Sequence, residues 1–423
     1  MPLHESIHYR DGALCCDDVP LDAIADAVGT PVYIYSAARI RANAARLQTA
    51  FAPLGAAVHY SLKANANLAI IRLLAALGLG MDAVSAGEIH RALRAGVAAE
   101  RIVFAGVGKT PAELAYALEA GVGWINVESQ DELHLLDRLA AQRGARPRVA
   151  LRLNPGVSAR THPHIATGHA GAKFGIDAGT VAAILAQRGA TPHLRIEGLH
   201  VHIGSQLGSV DETLTAVREA QTLAEPYPDL RTLNIGGGFP VAYQDGDEYP
   251  PPEAFAEALR PHLAGWQVKL EPGRSIVADA GLLLVSVLYV KHQGGSRFVI
   301  VDGSMTELIR PALYSAQHPI APLRAAPATE SAIVAGPVCE SADILHRDAM
   351  LPTLSAGDRL AILVAGAYGM SMASNYNQRV RPPEVLVEGA SWRVVRRRET
   401  WDDLLRLEEP DTERGASGPV SDV

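Results

Sequence analysis

Residues 58–67 read VHYSLKANAN, a single lysine set between a β-prone run and an Ala/Asn-rich stretch. The lead Val58, Tyr60 and Leu62 alternates as a half-buried strand does, and the following AIIRLLAALGLG carries apolar residues at helical spacing. The order is therefore strand, loop, helix, with Lys63 at the C-terminal end of the strand. In α/β folds that edge is where ligands bind, whereas a purely structural lysine usually sits solvated on a helix face.

Outward from this unit the pattern repeats. Short apolar segments VHYSL, GLGMDAV, RIVFAG, GWINV, RVALRLN, IEGLHVHIG, TLNIGGG and VKLEP alternate with Ala/Leu-rich stretches of helical period. Eight strands, each followed by a helix or long loop, predict a (β/α)8 TIM-type barrel in the α/β class. A doubly wound sheet could hold as many strands, but no G-x-G-x-x-G follows the first one. From residue 281 the pattern changes to GLLLVSVLYVKHQ, RFVIVDGS, SAIVAGPVCES, DRLAILVAGAYG and PPEVLVEGASWRVVRRR, strand-like runs with little helix between them. They predict a second, mainly β domain, which the N-terminal runs IHYRDGALCC and TPVYIYS would complete. The expected division is 36–280 for the barrel, and 1–35 with 281–423 for the β domain. The polar tail EEPDTERGASGPVSDV is expected to fray.

Composition narrows the function. With 423 residues, 48% hydrophobic and 20% charged, the chain is long enough for two substantial cores. A net charge of -8 offers no basic field for a phosphate backbone, so nucleic acid is not an expected partner. Three cysteines, two of them adjacent at Cys15 and Cys16, make no disulfide framework and point to a reducing compartment. The N-terminus lacks the apolar core of a signal peptide, and the longest apolar run, AGLLLVSVLYV, is far short of the ~20 residues that span a bilayer. The expectation is a cytoplasmic protein without membrane contact.

If the barrel closes, its strand ends collect Lys63, Asp82, Arg152, His202 with Ser205, Gly236 to Gly238, and Glu271 with Gly273 and Arg274. They share one rim, the catalytic end of such barrels. His200 and His202 lie two apart on a strand, but no third ligand, H-E-x-x-H or cysteine cluster accompanies them, and no metal is expected. One of the two is left to pack over a ring and the other to be satisfied in the barrel interior. NIGGGFP frees backbone N–H groups to approach an anion, or else makes a tight strand-to-helix turn. Ser205 and Arg274 would add a hydroxyl and a charge-assisted donor to the same phosphate. FAGVGKT looks like the end of a P-loop but has Val103 where the first glycine is required. A lysine, a phosphate cradle, a flat-faced histidine and a carboxylate at one rim fit pyridoxal 5'-phosphate, with Lys63 on its aldehyde, His202 against the ring and Glu271 beside the pyridine nitrogen. A carboxylate there keeps the nitrogen protonated and the ring a strong electron sink.

At this point the chain resembles the fold-type III pyridoxal-phosphate decarboxylases, and among them the diaminopimelate-acting branch, over nearly its full length. The stretches that carry the resemblance are YSLKANAN, DAVSAGEI, HPHIATGHAGAKFGI, LHVHIGSQ, NIGGGFP, EPGRSIVADAG, IRPALY, GPVCESADIL and GAYGMSMASNYN. It implies an alanine-racemase-like barrel plus a β domain, in a homodimer whose active sites are completed across the interface. It also implies Lys63 as the Schiff-base lysine, His202 as the stacking residue, and Ser205, Gly236, Gly237, Gly238, Arg274 and Tyr368 as phosphate contacts. Asp82 and Gly273 join the cofactor-binding set. Arg274, Arg310, Tyr314 and Tyr368 would meet the substrate, the arginines and Tyr314 at its distal carboxylate; Glu340 would take the distal amino group, and Cys339 would protonate the carbanion. The implied reaction is decarboxylation of meso-2,6-diaminopimelate to L-lysine.

Simpler readings stand beside these. A free cysteine such as Cys339 is often a small buried hydrophobe, and Arg310 before Pro311 could be a surface ion-pair former. Rival functions are decarboxylation of ornithine, arginine or carboxynorspermidine, alanine racemisation, non-catalytic cofactor carriage and class I aldol chemistry. A diamine-forming enzyme needs an acid for the distal ammonium, whereas IRPALY offers a cation and a phenol. Racemisation is disfavoured by Glu271, carriage by the ~140 residues after the barrel, and aldol chemistry by the glycine cradle.

Overall fold

A computed structural model describes residues 3–157, 168 and 171–408 of the chain. Most of the HPHIATGHAGAKFGI stretch and nearly all of the polar tail lie outside the described residues.

The eight expected segments are the eight strands of a closed parallel barrel: Ala57–Ser61, Gly80–Ala83, Ile102–Phe104, Trp124–Val127, Arg148–Leu153, Arg195–Val201, Thr232–Asn234 and Gln267–Leu270. Each pairs with the next in chain order, and the last closes on the first through Lys269 opposite Ala57 and Leu270 opposite Val58. Helices start where the sequence supplies caps. Ser85 and Ser129 accept the N–H groups of Glu88 and Glu132, and Thr110 forms a reciprocal capping box with Glu113 ahead of Pro111–Ala120. The helix Ala37–Phe51, which precedes the first barrel strand, packs against Pro252–Leu263 and Leu68–Ala76. It supplies the outer layer that the four-residue helix Arg274–Val277 after the last strand is too short to give. Inside the barrel, Val103, Trp124 and Ala150 form their own small cluster. Arg148 and Lys269 lie over the Trp124 ring at 4.2 and 4.9 Å from its centre.

Beyond the barrel, the long strand Gly281–Gln293 organises a nine-stranded sheet. Val32–Ser36, from TPVYIYS, lies between Gly281–Gln293 and Glu384–Glu388, so the N-terminus does enter this sheet. IHYRDGALCC does not. Asp11 and Gly12 take positive φ of 50° and 77°, and this tight turn folds Ile7–Arg10 back onto Ala13–Cys16, so their backbone groups pair with each other in a separate three-stranded sheet. The strands Ile320–Pro322 and Ile344–Leu351 escaped the sequence reading. In the second, His346, Arg347 and Asp348 interrupt the apolar alternation, and antiparallel pairing with Glu330–Ala335 overrides it. Among the described residues no helix is long and apolar enough to cross a membrane.

Candidate active site

The C-terminal ends of the barrel strands open into a cavity of about 540 Å³. Glu271 stands at its floor, one residue past the last strand. Its Oε1 accepts from Asn126 Nδ2 at 3.0 Å and Asn234 Nδ2 at 2.5 Å, and its Oε2 lies 3.2 Å from His200 Nε2. Burial pushes this carboxyl up, but His200, Asn234 and His202 outweigh it and hold the pKa well below the ordinary value. The carboxylate is thus anionic and aimed by two amides from the fourth and seventh strands of the barrel. His200, expected simply to be satisfied in the interior, sets its Nε2 against this carboxylate.

Lys63 follows the first strand in a short 3-10 turn, with its side chain open to the cavity but walled by protein. Burial lowers its pKa, while Asp82, Tyr368 and Glu271 raise it further, for a net rise. Asp82 lies beneath, paired in register with Ser61, whose hydroxyl donates to Asp82 Oδ2. Burial and the charge of Glu271 raise the Asp82 carboxyl to about 8. Both shifts favour the protonated form of each group.

His202 leaves the sixth strand beside the glycines. Gly237 N–H donates to its Nδ1 at 3.1 Å, which leaves the ring proton for Nε2. Burial, Lys63 and Arg152 hold its pKa far below the usual value, so the imidazole is neutral. The cradle glycines are there for space. A Cβ on Gly237 would lie 2.3 Å from the Glu271 carbonyl oxygen. One on Gly236, at φ +69°, would lie 2.6 Å from His202 Nδ1, and one on Gly238, at φ +97°, 2.7 Å from the Gly204 carbonyl. Arg274 Nε donates to Ser205 Oγ at 3.1 Å on the same side, and its guanidinium lies 4.9 Å from the centre of the Tyr368 ring.

A second cation, Arg310, lines the same cavity and is only 6% exposed, so the surface ion-pair reading fails. Tyr314, one helical turn on, and Tyr368 line it too. Sequence reasoning missed Tyr243, a buried residue of the loop after the glycines. Its hydroxyl accepts from Arg274 Nη1 at 2.7 Å, and its ring lies 4.9 Å below the Arg310 guanidinium. Asn126, Asn234 and His318 were missed as well. Their only signal was a polar side chain in or beside an apolar run, a weak cue until the fold gathers them.

Gly273 lines the cavity; Gly236, Gly237 and Asp82 lie behind its wall. Cys339 and Glu340 do not line it. Both are exposed in the turn after Glu330–Ala335, where Tyr376 Oη donates to Glu340 Oε1 at 2.6 Å. The buried-hydrophobe reading of Cys339 therefore fails in this chain. Lys109 of the P-loop look-alike is consumed internally, donating to Glu132 Oε1 at 2.6 Å and to the carbonyls of Gly106 and Asn126. Glu132 Oε2 receives the Glu128 N–H, and Glu128 pairs with Arg152 at 2.6 Å. This buried relay ties three strand ends together. No group of three or more metal-ligating side chains occurs among the described residues.

A phosphate cradle, a cavity lysine and a buried carboxylate at the mouth of one barrel define a pyridoxal-phosphate enzyme site. Residues 37–278 match the family model of the pyridoxal-dependent decarboxylase, pyridoxal binding domain, and the chain belongs to that family. The diaminopimelate decarboxylase of Zymomonas mobilis is 41% identical, with 95% of this chain and 97% of that protein covered. That of Pseudomonas aeruginosa is 44% identical, covering 95% and 98%. The structure of diaminopimelate decarboxylase from Helicobacter pylori complexed with L-lysine superposes with a TM-score of 0.88 at 39% identity, covering 92% of this chain and 99% of that one. Within its family the chain thus falls among the diaminopimelate decarboxylases.

The residues present fit pyridoxal phosphate. The cradle has room only for backbone, Arg274 and Ser205 stand beside it, Lys63 projects into the cavity and an anion waits at the floor. Both ends of the cofactor, its dianionic phosphate and its pyridine nitrogen, meet groups of the right sign.

Proposed function

We propose that the chain decarboxylates meso-2,6-diaminopimelate to L-lysine and CO2. One observation carries the substrate: two buried guanidiniums, Arg274 and Arg310, share the cavity with Lys63, as a distal carboxylate requires and a distal ammonium forbids. Bound in the cradle, pyridoxal phosphate supplies the electron sink for the charge left when CO2 departs. Gly238, Ser205, Arg274 and Tyr368 would hold the phosphate, with Gly236 and Gly237 shaping the turn behind it, and neutral His202 would face the ring. Lys63 would be the amine that holds the cofactor's aldehyde, with Gly273 in the cavity wall and Asp82 behind it. Glu271 would keep the pyridine nitrogen protonated. Arg310, Tyr314 and Arg274 orient the distal carboxylate.

Cys339 and Glu340, outside the cavity of their own chain, act at the site of a second copy in a homodimer, Cys339 returning a proton and Glu340 holding the distal amino group. Support comes from their exposure and their separation from the cavity. The working division is a barrel of 36–280 and a β unit of 1–35 with 281–423, and the work is cytoplasmic. Purified protein with pyridoxal phosphate is to be offered meso-diaminopimelate, ornithine, arginine and lysine, with CO2 and L-lysine measured. CO2 from diaminopimelate alone, with stoichiometric L-lysine, is expected; preference for ornithine or arginine overturns the reading.

A further inference from the structure

His318 is fully buried, four residues past Tyr314, and points away from solvent between the barrel and the β unit. Arg310 Nη1 lies 2.8 Å from its Nε2, and the Leu363 carbonyl oxygen lies 3.0 Å from its Nδ1. A guanidinium only donates and a carbonyl only accepts, so Nδ1 carries the proton and Nε2 is the acceptor. The ring is therefore a neutral, fixed tautomer. Its edge also meets the Tyr243 ring in a T-shaped contact with centres 5.4 Å apart. His318 does not line the cavity; Arg310, Tyr243 and Arg274 do.

Two guanidiniums in one buried space repel each other, and each lowers the other's freedom to stay charged unless acceptors offset the cost. A carboxylate partner would offset it by cancelling the charge needed for substrate. A neutral imidazole and a phenol oxygen satisfy donors of Arg310 and Arg274 while leaving both charges in place. Burial and Arg310 hold the His318 pKa at about 3, so the acceptor persists throughout the working pH range.

We propose that His318 is the positioning residue for Arg310, fixing the guanidinium that selects substrates bearing a distal carboxylate. It acts through Arg310 and touches no substrate. The proposal rests on the diaminopimelate reading, and its test separates the two. Asparagine at 318 retains a group at the Nδ1 position, facing Leu363, but is too short to reach Arg310. Glutamine retains an acceptor near the Nε2 position. Holoenzyme carrying His318→Asn or His318→Gln is assayed with meso-diaminopimelate in the presence of L-lysine, which keeps the distal carboxylate, or cadaverine, the same chain without it. The ratio of the two inhibition constants is the readout, because general loosening of the site weakens both inhibitors together. For His318→Asn the preference for lysine over cadaverine should fall roughly 10-fold or more, with KM for diaminopimelate rising and kcat changing less; His318→Gln should stay within about 3-fold of the parent. An unchanged ratio in His318→Asn, equal losses in both variants, or insolubility of both overturns the positioning role. Failure of the parent protein to convert diaminopimelate overturns the substrate reading instead.

Discussion

Glu271 shows how much of this site depends on a single charge being kept where burial opposes it. Asn126, Asn234 and His200 supply the compensation, and Glu271→Gln removes the charge while preserving shape. Turnover should fall by about 10²-fold or more, a loss of roughly 2.7 kcal/mol of transition-state stabilisation, with cofactor retained because the phosphate contacts are untouched. Steady-state kinetics beside cofactor titration checks this. Lys63→Ala should abolish turnover and the absorbance near ~420 nm expected of lysine-bound cofactor, and a spectrum of the purified variant suffices to tell. Asp82 gives a pH signature. Its carboxyl is raised from an ordinary 3.8 to about 8, so between these values the folded chain binds a proton that the unfolded chain releases. That contribution is fully present below the lower value and is lost as pH rises through the upper one. The melting temperature of cofactor-free Asp82→Asn should therefore fall less steeply than that of the parent from pH 5 to 8.5; parallel curves would remove Asp82 as the source.

At the scale of elements, function sits on strand ends and the turns that leave them. The loop from Asn234 to Phe239 leaves a three-residue strand, receives the Gly236 N–H on the Asn234 side chain, and passes close to Val201, Gly204 and Glu271. Side chains cannot enter there. Gly237→Ala would put a methyl group 2.3 Å from the Glu271 carbonyl oxygen, which only a backbone shift relieves. Such a shift moves Glu271 and the cradle together. Cofactor affinity should weaken by about 10²-fold and turnover should fall with it, in proportion to the lost hydrogen bonds. Fluorescence titration with pyridoxal phosphate measures the first; an affinity equal to the parent's would show that the turn does not hold the phosphate. The relay Lys109–Glu132–Glu128–Arg152 works on the same scale, joining three loops through groups with no contact to the cavity.

On the scale of the whole molecule, the proposed role of Cys339 makes the active site a shared one. A proton must arrive from within ~3 Å of the reacting carbon, or through one water, and the exposed Cys339 lies outside the cavity of its own chain. Mixing inactive Lys63→Ala with inactive Cys339→Ala chains under conditions of subunit exchange should restore activity. With random, equal exchange half the dimers are mixed and each holds one intact site, so recovery should approach about a quarter of the parent activity. Zero recovery with exchange demonstrated by mass would return Cys339 to its own chain.

The barrel was legible in the sequence because its signal is local: each strand is a short apolar run, and several helices begin at their own cap, as at Ser85, Thr110 and Ser129. Lys63, Glu271, Arg274 and the glycines were legible for a related reason, since a strand end fixes which rim a residue occupies. The fate of IHYRDGALCC was not, because pairing is decided by which backbone edge the Asp11–Gly12 turn brings close. Nor were the partners of the key charges. Asn126, Asn234 and His200 around Glu271, and Tyr243 beside Arg274, come from strands and loops tens of residues or more apart, and His318 reaches Arg310 only because the chain turns back between them. The sequence alone determined the barrel's strand count, the rim and the residue types that could do the chemistry. Tertiary structure decided which polar groups meet, because the penalty of a buried unpaired charge is settled only by neighbours that folding brings together.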